Sequence, residues 1–112
     1  MRFIDVGVEF NSLLENRNKN QGNGKFHAEE FRDKYLKELE DPAFWQTPEE
    51  NYITLDFTNV DKIGPSFANE AFGFFMKLTD ESTFKKVVIF KNTQPIHDLV
   101  INIELNSARK IK

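Results

Sequence analysis

The chain has 112 residues, of which 39% are hydrophobic, a length that supports one core and excludes two. Its formal charge of −3 and pI near 5.4 argue against nucleic acid as the main partner. It holds no cysteine, which excludes disulfides and thiolate metal sites, and no apolar stretch approaches bilayer length, so a soluble cytoplasmic protein without membrane contacts is expected.

Ile4, Val6, Val8 and Phe10 alternate with Asp5, Gly7 and Glu9, which predicts a first strand. From Asn11 to Lys25 the chain is rich in Asn, Lys and Gly and reads as a loop, within which Leu13 and Leu14 can start a short strand. His27 to Leu39 then reads as a helix with Ala28, Phe31, Tyr35 and Leu39 on one face. Glu29 and Glu30 suit the first turn, and Glu30–Lys34 and Asp33–Lys37 are i,i+4 pairs contributing roughly 0.2–0.5 kcal/mol each on a solvated surface. Asp41-Pro42 stops the helix. Phe44 and Trp45 follow in a linker between Pro42 and Pro48, where they read as plugs of the core.

Ile53, Leu55 and Phe57 alternate with Thr54, Asp56 and Thr58, the pattern of a strand with one buried face. Gly64 and Pro65 interrupt it. Phe67, Ala71, Phe74, Phe75 and Leu78 then recur at helical spacing, predicting a helix of about three turns. The helix begins either with Gly64 as cap and Pro65 first, or with Ser66 as cap. Gly73 inside it costs about 1 kcal/mol against Ala, so close packing is expected there. Phe72 lies well round the helix from Phe74, which leaves either burial on two sides or a binding face. Thr79 to Thr83 reads as a turn, Val87 to Phe90 as a buried strand, and Asn92 and Thr93 as caps of a last helix in which Ile96, Leu99, Val100 and Ile103 keep helical spacing. LVINIEL also admits an alternating strand. Strands separated by amphipathic helices imply a single α/β domain over 1–112.

Chemistry-bearing residues are sparse. His27 and His97 are far apart, neither has a second ligand at metal spacing, and both read as surface or boundary residues. No metal, cofactor or catalytic role is expected. Ser66, in the first turn of the central helix, is the one hydroxyl where a phosphate would meet unpaired N–H groups.

The stretch LDFTNVDKIGPSFANEAFG resembles the strand–turn–helix core of STAS domains, the anti-anti-sigma-factor fold, and more closely the STAS-like family DUF4325 with its SSFxxEAFG-type segment. The Arg-then-Gly-rich loop from Arg17 to Gly24 and the HAEEFRDKYL helix are similar to two further pieces of that family. The resemblance implies a small mixed sheet of about four strands with helices mainly on one face. In STAS domains the turn reads DSSG, and its second Ser is phosphorylated by a kinase that is also an anti-sigma factor. Ser66 falls on that Ser, while Gly64, Pro65 and Phe67 replace its neighbours. A regulatory module is therefore implied, docking a GHKL-type ATPase or kinase, or an anti-sigma-like factor, through Gly64, Pro65, Phe67, Asn69, Glu70, Phe72 and Gly73. Arg17, Gly22 and Gly24 are candidate loop contacts. The alternatives are a ligand-binding or enzymatic domain using Asp56, Glu70 and His97, and a domain that self-associates through its Phe-rich helix.

Overall fold

The computed structural model describes residues 2–17 and 26–111. The strands are β1 (Arg2–Asp5), β2 (Leu13–Leu14), β3 (Ile53–Asp56), β4 (Lys62–Ile63) and β5 (Val88–Lys91). The helices are α1 (Val6–Glu9), α2 (Ala28–Tyr35), α3 (Pro65–Ala71), α4 (Glu81–Val87) and α5 (Pro95–Ile111), with 3-10 turns at Lys37–Glu40, Pro42–Gln46 and Gly73–Lys77.

The α/β class holds, but the strands do not form one mixed sheet of about four. They form two parallel sheets, one of three strands in the order β1-β3-β5 and one of two, β2 with β4. Each connection within the larger sheet crosses back through helical segments, and such a connection brings the next strand in parallel. Ile53 aligns with Val88, and Leu55 with Ile4 and Phe90, on the face that packs against the helices. In the row between, Phe3, Thr54 and Ile89 point the other way, and Phe3 and Ile89 are exposed. The helices thus cover one face.

Seven phenylalanines are fully or almost fully buried, so the aromatic content builds a core. Phe10, Phe31 and Phe67 meet at ring separations of 5.2 and 5.7 Å, and Phe72 meets Phe90 edge-on at 5.0 Å. Trp45 plugs this core as read, stacking near Phe84 at 5.9 Å while its Nε1 donates to the Leu39 carbonyl at 2.9 Å.

Several elements depart from the sequence reading. The helix read over His27–Leu39 ends at Tyr35 and gives way to a 3-10 turn, and β5 is an edge strand with Ile89 exposed rather than a buried one. β1 ends at Asp5 because Asp5 caps α1: its Oδ1 accepts from Val8 N–H at 3.3 Å, and Glu9 Oε2 accepts from Asp5 N–H at 2.8 Å. Gly7 lies inside that turn, where a Cβ would fall 2.0 Å from the Asn59 carbonyl oxygen. The central helix is not continuous, since α3 ends at Ala71 and Gly73 starts a 3-10 turn. α4 replaces the expected turn: Asp80 Oδ1 caps it from Thr83 N–H at 2.7 Å, and only Phe84 and Val87 face the core, too few for a periodic signal. On α5, finally, His97, Ile101 and Leu105 are buried, whereas Ile96, Leu99 and Ile103 are 55, 54 and 52% exposed. His97 is therefore a core residue, not a boundary one.

Candidate functional site

The turn at Ser66 is built from β4. Gly64 N–H donates to the Leu14 carbonyl at 2.7 Å, which pins the turn to β2. Gly64 is the helix cap without a side-chain bond, Pro65 is the first helical residue, and Ser66 is half-buried in the first turn. Gly64 has φ −97°, and a Cβ there would find ordinary contacts from 3.7 Å, so neither unusual dihedrals nor close approach requires glycine. Gly73 is different. A Cβ on it would stand 3.0 Å from Ala108 Cβ, which confirms close packing, against α5.

α3 and α5 each follow a strand and run the same way. Asn69 Nδ2 donates to Glu104 Oε1 at 3.3 Å, and Gly73 faces Ala108 with the same residue offset. Carried back one helical turn, that offset sets Pro65 and Ser66 level with Val100 and Ile101. The exposed Ile96, Leu99 and Ile103 form an apolar stripe along this part of α5.

Glu70 draws together the three stretches that carry the resemblance. Its carboxylate accepts from Arg17 Nη1 at 3.1 Å and from Arg32 Nη1 at 2.5 Å, and Arg32 also donates to the Glu70 carbonyl at 2.7 Å. Arg17 further donates to Asn69 Oδ1 at 3.2 Å. The Arg32 guanidinium lies 3.9 Å over the Phe74 ring, whose other cation is Lys77 at 3.7 Å. Glu70 and Arg32 keep 19 and 12% of their side-chain surface, so the pair is shielded far more than a surface ion pair. Arg32 was legible only in part: it lies one turn after Ala28, beside the buried face of α2, yet reads as one more solvated charge.

Of the expected partner contacts, Gly64, Phe67, Phe72 and Gly73 are buried in the folded domain. They are apolar or lack a side chain, and the core takes them first. Pro65 is exposed, and Asn69 and Glu70 are half-buried. Gly22 and Gly24 lie outside the described residues; Arg17 is placed on Glu70.

Among the described residues, Asp56, Glu70 and His97 share no hydrogen-bond partner. Asp56 Oδ1 accepts from the Thr58 hydroxyl at 2.7 Å, from Asn92 Nδ2 at 3.0 Å and from Thr58 N–H at 3.0 Å. This ties the ends of β3 and β5 together and holds Asn92 at φ 60°, a conformation asparagine tolerates. His97 Nδ1 accepts from Gln94 N–H at 3.1 Å, and its ring packs edge-on against Phe57. Among the described residues no group of three or more His, Cys, Asp or Glu is placed to hold a metal ion, and no helix is long and apolar enough to cross a membrane.

The Thr58 hydroxyl, then the Asn92 amide and the Thr58 N–H, hold the Asp56 pKa below its ordinary value. A carboxylate depressed in the folded state adds stability that is fully present above its unfolded pKa, about 3.9, and is lost as pH falls through the lower folded value. Urea unfolding from pH 6 downwards is therefore expected to show an acid loss of stability that Asp56→Asn reduces. An identical acid limb in the variant would mean that Asp56 does not contribute to the acid loss.

A family model described as a STAS-like domain of unknown function (DUF4325) matches residues 27–98 of the chain. No curated protein and no solved structure matches.

Proposed function

The chain belongs to the family of STAS-like domains of unknown function, DUF4325, and on that premise we propose that it is a non-catalytic regulatory module that docks a protein partner on the surface of the Ser66 turn and α5. The observation that carries this reading is the stripe of Ile96, Leu99 and Ile103, each more than half exposed on one helix. Scattered apolar residues on a surface need no explanation, but three at helical spacing form a ready face for a partner. Pro65 and Ser66 stand at the same level of the molecule. The partner implied by the family resemblance is an ATPase or kinase of GHKL type, or an anti-sigma-like factor.

Ser66 serves in this reading as the switch at the level of the stripe. Phosphate there adds about −1.5 to −2 charge at pH 7 to the surface that the partner approaches. Because Ser66 is not the cap, Ser66→Ala is expected to cost almost nothing in stability and to keep binding. Ser66→Asp and Leu99→Glu should both weaken capture of the partner from native-host extract while leaving the melting temperature within a few degrees of wild type. Equal capture by all four proteins would refute docking at this face.

A further inference from the structure

We propose that the outer edge of β5 is the seat of a symmetric dimer, in which β5 of a second copy adds antiparallel and joins two three-stranded sheets into one. The backbone geometry leaves this edge open. The Lys91 carbonyl accepts from Phe57 N–H at 2.9 Å, so Lys91 directs its backbone groups inward, to the β3 side. Directions alternate along a strand in a ladder, so Ile89 also faces β3, and Phe90 presents both its N–H and its C=O at the outer edge. No other strand of the described residues pairs there. The opposite edge of the sheet is partly closed, because Glu9 Oε2 already takes the outward N–H of Asp5 at 2.8 Å.

The β5 edge opens into a groove of about 360 Å³ between β5 and α5, lined by Val88, Ile89, Phe90 and Ile101, with Lys85 and Asp98 among its polar residues. An open edge of this kind is a template for another strand. A twofold axis beside Phe90 lets the N–H and C=O of the two Phe90 residues exchange both bonds, the hydrogen-bonded pair of an antiparallel ladder. It also sets Ile89, 37% exposed, against the aliphatic stem of Lys91 in the second copy.

Charge selects a second copy as the occupant. Lys85 belongs to the last turn of α4, which runs directly into β5, so it stands at the strand's beginning. Asp98 lies in the first turn of α5 and stands near the strand's end. Antiparallel pairing places the beginning of one β5 opposite the end of the other. Each Lys85 then meets the Asp98 of the second copy, twice per dimer, and a groove with one positive and one negative end complements itself. The present contacts of these side chains, Lys85 with Asn102 and with Glu81 at 3.5 Å and Asp98 with the Thr93 hydroxyl at 2.8 Å, are exposed and yield at little cost.

This surface lies on another side of α5 from the stripe of Leu99, so its test is independent of partner docking. Sedimentation equilibrium of the full chain is expected to give a mass rising with concentration towards twice 13.1 kDa. Asp98→Lys and Lys85→Glu should each weaken association by at least about tenfold, since each sets like charges together at both ends. An equimolar mixture of the two variants should dimerise as the wild type does, because every contact in the mixed pair is again of opposite sign. Leu99→Glu should self-associate normally. A wild-type mass of 13.1 kDa at every concentration overturns the proposal. So does a dimer indifferent to both charge changes, a mixture that stays monomeric, or a dimer lost with Leu99→Glu.

Discussion

Leu55→Asp is expected to leave no cooperative unfolding transition. Leu55 is fully buried in the middle strand of the larger sheet, with Ile4 on one side and Phe90 on the other. An aspartate there has no cation within the apolar layer, and burying an unpaired charge costs several kcal/mol or forces the group to neutralise. The total stability of a domain is about 5–15 kcal/mol, with small domains at the lower end. The check is urea or thermal unfolding followed by circular dichroism. A folded Leu55→Asp variant with a sharp transition would mean that β3 is not the interior strand.

Glu70→Ala is expected to destabilise by about 2–4 kcal/mol, less than a fully buried pair because a fifth of Glu70 remains exposed. The loss has two parts. Arg32 keeps the residue 70 carbonyl and the Phe74 ring but has a shielded guanidinium without its carboxylate, and Arg17 loses one of its contacts with α3, keeping that with Asn69. Glu70→Gln keeps an acceptor and should cost less. Lys37→Ala, which removes pairs at 3.6 and 3.9 Å on an exposed face, should cost about 0.5 kcal/mol or less. Denaturant unfolding of the three variants distinguishes the cases. If Glu70→Ala costs no more than Lys37→Ala, the cluster is an ordinary surface pair.

The strand read over Ile53–Thr58, β3 over Ile53–Asp56, was legible because its alternation is strict and one face is buried. The helix after Pro65 was legible from Phe67 and Ala71, and the plug at Trp45 from its two flanking prolines. The first strand was overrun because Val6, Val8 and Phe10 continue the alternation in composition, while the Asp5 cap and the contact of Gly7 with Asn59 turn the chain. That contact joins residues far apart in sequence, and no local pattern holds it. On α5 the spacing of Ile96, Leu99, Val100 and Ile103 marks a true apolar face, but periodicity does not say which of two apolar faces the core takes. The core took His97, Ile101 and Leu105. The meeting of Arg17, Arg32 and Glu70 escaped for a related reason: each charge alone is the ordinary content of a surface, and only the packing of α2 on α3 brings them together.

Docking of a protein partner on the face of Ser66 and α5 can be read by placing a photo-crosslinking residue at Leu99 in cells of the native host. A second probe at Asp33, exposed on α2, serves as the control. One discrete heavier adduct is expected from position 99, absent from position 33 and diminished when Ser66→Asp is added. No adduct from position 99, or the same adducts from both positions, would mean that no partner docks on this face.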